Sequence, residues 1–439
     1  MSSKPVTRRE FVTVASQVAA AAALFSLSPS AALAAGRRRF AIVGTGSRAC
    51  GMWGAALLKR FPDLLEFVGL CDINPKRVEV AKRKMGVECP TFTDFDKMCD
   101  QVKPEVLLIA TVDATHAGYI VKGLDRGIDV ITEKPMVTDE HQCRAVLDAE
   151  KRSGRKIIVA FNFRYPPIHR KMKELLLAGE IGKIVSVDYN YFLNRDHGGS
   201  YFHRWHALKS KSGSLLCHKS SHHFDLLNWL LGADPEEISA QGEIKMYGKQ
   251  GPFRHTHCRP CPHKAECPFY YDITKDREGM ELYAACESED GYLRDACVFR
   301  DEVDSYDTMS VLIKYAGGII ANYSLNTFMP YEGSRIAING LKGRLELRHY
   351  IQQSWKVDDE HELYLTRENG KQERISAEKG EGGHGGGDDF IRDLVFRPAE
   401  VPAHLRLPDS RAGAMSCLTG VAARKSIEEK RPVKIADLM

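Results

Sequence analysis

The sequence predicts an α/β chain in two parts: a doubly wound parallel sheet over residues 37–162, and a second domain of hairpins and meanders over 163–439. Three observations predict it. Short apolar runs alternate with helical segments through the first part. A glycine-rich turn joins the first apolar run to a helix. After Pro166-Pro167 the pattern changes to strict apolar/polar alternation punctuated by glycines.

The elements follow in chain order. Residues 1–34 contain Arg8-Arg9, a weakly apolar run to about Leu27, and Ala32-Leu33-Ala34, a small-residue cleavage pattern. Thr13, Ser16 and Gln17 interrupt the run, which is too short and polar for a membrane span of about 20 apolar residues. The segment is expected to be a twin-arginine export signal, read by the twin-arginine machinery and placing the mature chain in the periplasm. The chain carries a formal net charge of +4, and a near-neutral surface of mixed signs gives no electrostatic case for nucleic acid or membrane partners.

RRRFAIV is the first strand, and GTGSRACG is a turn opening a helix. Gly44 permits the tight turn, and Gly46 lets a pyrophosphate approach the free N–H groups of the helix N-terminus, with Ser47 and Arg48 beside it. LLEFVGLCD is the second strand and ends in Asp72, placed to accept the adenosine ribose hydroxyls; this favours NAD, with NADP the alternative. VLLIATV, IDVITEKP and KIIVAFNFR supply further strands. Ligands of such a sheet gather at strand C-termini, here Gly44, Asp72, Thr111, Lys134 and Asn162.

In the second part, a helix over 168–178 precedes IGKIVSVDYNYFLN, TMSVLIKYAG, GIIANYSLN, SRIAING and GRLELRHY, which alternate as strands of a one-sided sheet. Its outer face is available to a partner subunit, in a homodimer or homotetramer. A helix over 408–428 closes the chain. Between them, CHKSSHHFDLLNWLLG (217–232) places His218, His222, Asp225 and Trp229 on one helical face and a leucine stripe on another. Asp225, one turn beyond His222, is expected to hold its tautomer. His218 and His222 at i, i+4 can relay a proton or share a divalent metal. His203 and His206 lie on a loop that can cover a sugar pocket, and Arg164 and Tyr165 sit after the fifth strand at the same mouth.

Residues 242–307 break the alternation with Cys258, Cys261, Cys267, Cys286 and Cys297. A structural zinc on Cys258, Cys261, Cys267 and Cys286 is one reading, disulfides are the second and free thiols the third.

GTGSRACG, CDINPKR, ATVDATH, EKP and GLKGRLEL, in that order, resemble the Gfo/Idh/MocA family over roughly residues 38–437. The resemblance implies an N-terminal Rossmann domain and a C-terminal α/β domain with an open, largely antiparallel sheet. It implies that Lys134 reaches nicotinamide and substrate, and its motifs add Arg77, His116 and Glu133 to the cofactor set. In that family an Asp-x-x-x-His helix serves the substrate hydroxyl. Here His222 matches the histidine, and His218 stands where the aspartate belongs. The implied chemistry is hydride transfer between NAD and a hydroxyl of a sugar, glycoside or polyol. In a periplasm without free NAD the cofactor has to be held tightly and recycled in place. Two reactions satisfy this: coupled oxidation and reduction of two sugars, or a redox-neutral cleavage of a glycoside by transient oxidation, elimination and re-reduction. A non-catalytic sugar- or NAD-binding protein is the third reading.

Overall fold

The structure, a computed structural model, describes residues 37–397 and 400–439. The twin-arginine segment and its cleavage pattern lie outside the described residues.

Six strands form the first sheet: β1 (Arg38–Val43), β2 (Leu65–Cys71), β3 (Thr91–Phe92), β4 (Val106–Ile109), β5 (Asp129–Thr132) and β6 (Ile157–Val159). They are all parallel, in the order β3-β2-β1-β4-β5-β6. β1 and β4 are buried along their apolar lengths, as expected of strands covered on both faces. The order reverses between β1 and β4, which opens a crevice at their C-terminal ends. Local chemistry sets the helix ends. Asn74 caps Pro75–Met85 by accepting from the Arg77 N–H, and Gly86 at φ 67° terminates it. Asp139 and Gly154 do the same for Glu140–Ser153.

The second sheet has nine strands: β7 (Ile184–Asn194), β8 (Pro235–Glu243), β9 (Thr308–Tyr315), β10 (Ile320–Met329), β11 (Glu332–Gly340), β12 (Gly343–Gln352), β13 (His361–Arg367), β14 (Gln372–Ile375) and β15 (Val433–Lys434). Their order is β14-β13-β12-β11-β7-β10-β9-β8-β15. Every pair is antiparallel except β7 with β10. The sheet is one-sided: Met309, Val311, Ile313 and Tyr315 of β9 point into the core, whereas Ser310, Leu312 and Lys314 point out.

Two helices fill the inner face. Ser410–Glu429, capped by Asp409, is buried over most of its length. Gly420 lets it lie against the turn Leu215–His218: a Cβ there would stand 2.4 Å from the Leu216 carbonyl oxygen. That close approach seats His218. Ser220–Leu231 follows, and it is buried on nearly every side. The expected division into a polar histidine face and an apolar core face is therefore not present. Both faces are interior, because the first domain covers the histidines. Among the described residues no helix is long and apolar enough to cross a membrane.

Candidate active site

The C-terminal ends of β1, β2, β4 and β5 open into a cavity of about 1310 Å³. The segment 195–212, expected as a loop but folded into the helix Arg195–His203 and two shorter helical turns, closes it from the other side with the head of the Ser220–Leu231 helix and the cysteine-rich insert. Pockets for one small ligand run to roughly 1,000 Å³, so this cavity has room for a dinucleotide and a second ligand.

The dinucleotide end is built on Gly44. Its φ is +84°, and a Cβ would meet the Ala110 and Thr111 backbone at 2.7 Å. Only glycine brings the turn this close to β4. Asp72 is in the predicted place, but its carboxylate is engaged by the protein. One oxygen accepts the Thr45 N–H (2.8 Å) and hydroxyl (3.0 Å); the other accepts the Asn74 N–H (3.0 Å) and Arg77 Nη1 (3.1 Å). These fill its acceptor sites. A second carboxylate at this end, Asp290 of the insert, lies 2.7 Å from Arg77 Nη2.

The insert crosses the mouth of the turn. The Tyr283 hydroxyl accepts the Ser47 N–H at 2.9 Å and lies 3.0 Å from the Ser47 hydroxyl. Around it, Asn74 donates to the Cys286 carbonyl (2.9 Å), Arg77 to the Leu282 carbonyl (3.1 Å), and Lys76 pairs with Glu289 (2.7 Å).

A polar floor joins the domains. Arg48 bonds Glu133 at 2.7 Å and Asp388 at 3.2 Å; Trp53 Nε1 donates to Glu133 at 2.8 Å; Asn162 donates to Asp388. Burial alone raises a carboxyl, but His384 and Arg48 outweigh it and hold Asp388 well below the usual range. Thr111 lines the cavity, and His116 wedges its ring between the Pro135 and Thr111 carbonyls at 2.7 and 3.2 Å.

Lys134, His218 and His222 converge on the cavity as expected. Lys134 Nζ donates to the His218 carbonyl at 3.0 Å. Burial pulls its ammonium down from the ordinary lysine value. His218 Nδ1 lies 2.6 Å from Asp113 Oδ2. Burial, followed by the Lys134 charge, holds His218 well below the usual histidine range. Burial also pushes the Asp113 carboxyl well above its ordinary value, so the Nδ1–Oδ2 contact is what sets the proton between the two groups; with Nδ1–H donated to Asp113, Nε2 is left as a base. His222 is also held down by burial and by Lys134. Its ring stacks on Phe163 (centroids 4.7 Å) and lies 5.9 Å from His384.

Three expectations need correction. Asp225 does not orient His222: Arg164 takes both of its oxygens, at 2.7 and 2.5 Å, and His222 Nδ1 has no partner. That buried pair removes Arg164 from the substrate mouth, and Tyr165 is turned away too, stacked on Phe390 with its hydroxyl on the Arg406 carbonyl. His206 lines the cavity between Trp205 and His218, and His203 lines it too, its ring nitrogens held at the Ala296 and Phe269 carbonyls at 2.7 and 2.9 Å.

The cysteines of the described residues are all free thiols. Cys258, Cys267 and Cys297 neighbour one another electrostatically, but Cys286 sits apart beside Arg77 and Asp290. Among the described residues no three histidine, cysteine or acidic side chains form a group able to hold a metal ion. This includes His218 and His222.

Sequence reasoning missed Asp113, His384, Asp388 and Tyr283. Asp113 stood inside the quoted ATVDATH, and only the fold reveals its partner.

A parallel sheet with a glycine turn at its switch point, facing a lysine and two histidines across one cavity, defines a dinucleotide-binding oxidoreductase. Residues 38–161 match the model of the oxidoreductase family's NAD-binding Rossmann fold, and 173–435 that of its C-terminal alpha/beta domain. The chain belongs to the Gfo/Idh/MocA oxidoreductase family and is an NAD-dependent oxidoreductase. It is 38% identical over 422 residues to YteT of Bacillus subtilis (strain 168), covering 90% of this chain and 97% of that protein. Inositol 2-dehydrogenase of Salmonella paratyphi B is 26% identical over 192 residues, 43% of this chain and 54% of that enzyme. The fold is shared with the WlbA dehydrogenase of Bordetella pertussis, solved with NADH and UDP-GlcNAcA (TM-score 0.63, 18% identity, covering 91% and 98% of the two chains). It is shared too with aldose-aldose oxidoreductase of Caulobacter crescentus (TM-score 0.61, 14% identity, 91% and 99%).

Proposed function

We propose that the chain oxidises a hydroxyl of a sugar, glycoside or polyol and keeps its NAD through successive turnovers. The convergence of Lys134, His218 and His222 opposite the glycine turn carries this reading. The residues suit NAD: Gly44 leaves the close approach open, and Asp72 and Asp290 at the ribose end disfavour a 2′-phosphate. Held over the Gly44 turn, NAD would supply a hydride acceptor for the carbinol carbon and a donor for a second substrate.

The side chains manage the proton. Asp113 fixes the His218 tautomer so that Nε2 faces the cavity as acceptor. Lys134, tethered to the His218 carbonyl, holds the hydroxyl oxygen beside that base. Phe163 and Trp205 exclude water around the imidazoles.

Retention is supported by the insert. Tyr283 and the contacts of Arg77 and Lys76 with it have to open before a dinucleotide leaves. A held cofactor fits export by the twin-arginine route to the periplasm. The outward face of the nine-stranded sheet, with Leu312 and Ile320 half exposed, suits a second copy of the chain.

The second reading is redox-neutral cleavage of a glycoside, favoured by two buried imidazole bases, His218 and His222, on one cavity. The first test is to purify the protein without added cofactor, denature it and assay the released nucleotide. Stoichiometric NAD supports the proposal; an empty protein that also fails to take up NAD refutes it. Glycosides then separate the two reactions: free sugar without an added acceptor marks cleavage.

A further inference from the structure

The cations of this cavity are not balanced alike. Arg48 and Arg77 are each matched by two carboxylates. Arg204 and Arg294 line the same cavity, and among the described residues neither has an ion-pair partner. Nor do Lys134 and the buried Lys219, whose ammonium rests over the Tyr191 and Phe163 rings at 4.9 and 5.5 Å. The inner carboxylates are taken: Asp113 by His218 and Glu332 by His197 (2.9 Å).

Both guanidiniums are held in place without being neutralised. Arg204 donates Nε to the Ser200 carbonyl (2.7 Å) and Nη2 to the Ser200 hydroxyl (3.0 Å), and lies 5.0 Å from the Tyr201 ring. Arg294 lies 4.4 Å from the Tyr283 ring. Burial, and then the charge of Arg294, pull Arg204 down from the ordinary arginine value, whereas at Arg294 burial is outweighed by Tyr283 and Tyr292, which hold it up. Like charges placed together in a partly desolvated cleft are an unfavourable arrangement that a bound anion relieves. A further group waits for a ligand here: His206 is 5% exposed and its Nδ1 has no partner.

We infer that the sugar acted on is acidic, its carboxylate or phosphate oxygens held by Arg204 and Arg294 while Lys134 and His218 serve the reacting hydroxyl. This rests on the oxidoreductase reading above. The other oxyanion within reach is the cofactor's pyrophosphate, because Tyr283 links Arg294 to the glycine turn.

Calorimetric titration of the full-length protein with D-galacturonate, D-galactose 6-phosphate and D-galactose, and with D-glucuronate and D-glucose, tests it. At least one acid is expected to bind about 10- to 100-fold more tightly than its neutral parent, the range for charge-assisted hydrogen bonds. Arg204→Met and Arg294→Met are expected to remove that preference, leaving neutral-sugar affinity and retained NAD unchanged. Arg204→Lys is expected to restore part of it and guards against misfolding. Galacturonate against galactose 6-phosphate tells carboxylate from phosphate. Equal or weaker binding of every acid, or no binding of any, overturns the inference. So does a loss of retained NAD in the methionine variants with the acid preference intact, which assigns the pair to the pyrophosphate. An arginine-dependent acid preference in a protein that binds no NAD would instead overturn the oxidoreductase reading alone.

Discussion

Asp113→Asn isolates the one contact that makes His218 a directed base. The carboxylate lies 2.6 Å from Nδ1. When Nε2 takes the hydroxyl proton, the imidazolium forms beside Asp113. Two unit charges about 4 Å apart attract by about 4 kcal/mol at an effective dielectric of about 20. A hydrogen bond to a charged group is worth about 1.5–3 kcal/mol. These bounds correspond to a fall in kcat/KM of about 10- to 1000-fold. Asparagine also offers an N–H to Nδ1, which turns the tautomer and blocks Nε2. The assay is reduction of the retained NAD by the sugar that the screen identifies, followed by absorbance across pH. The plateau should drop and the acid limb should move to lower pH, because the imidazolium has lost its counter-charge. Retained NAD and thermal midpoint serve as controls. An unchanged rate and an unchanged acid limb would refute His218 as the proton acceptor.

Lys134→Ala should cost about 10²–10⁴-fold in kcat, the usual contribution of a positioned acid or base, with NAD content unchanged by mass spectrometry. Gly44→Ala places a Cβ 2.7 Å from the Ala110 backbone at φ +84°; a left-handed non-glycine costs about 1–3 kcal/mol before that clash, so the protein should lose both stability and NAD in a thermal melt and a binding titration. Tyr283→Ala removes the phenol on Ser47 and should speed NAD loss in dialysis about tenfold, for a contact of about 1.4 kcal/mol; unchanged loss would show that the insert is no clasp. Burial holds His169 down to about 4. The unfolded chain, near 6.5, then takes its proton first as pH falls. Stability is complete above about 6.5 and is lost down to about 4, by about 2 kcal/mol at pH 5. The thermal midpoint should fall between pH 7 and 5, less steeply in His169→Gln.

The first domain was legible because its signals are local. The glycine turn, the alternation and the caps at Asn74 and Asp139 act within a few residues, and the strands lie where they were expected. β3, two residues long, offered no period to read. The site was legible as far as the residue types at strand ends and on the His218–His222 turn. Its pairings were not. Helix spacing assigned Asp225 to His222, but Arg164, 61 positions earlier, claims it with a bidentate geometry that an imidazole cannot match. His218 found its carboxylate 105 positions away. The insert reaches the glycine turn through Tyr283, 236 positions beyond Ser47. Such contacts depend on how the two sheets face each other, which no periodicity encodes.

The floor beneath the glycine turn bears on how the chain is made. Arg48 is tied to Asp388, 340 positions later, and Asn162 to the same carboxylate. At about 5–20 residues per second, that closing residue leaves the ribosome roughly 20 to 70 s after Arg48. During that interval the nascent first domain has its sheet but not its floor, and Arg48 lacks one of its two counter-charges. The site is completed only once residue 388 has emerged, so loading of the dinucleotide waits for the second domain, and a fragment ending near residue 162 should hold NAD poorly.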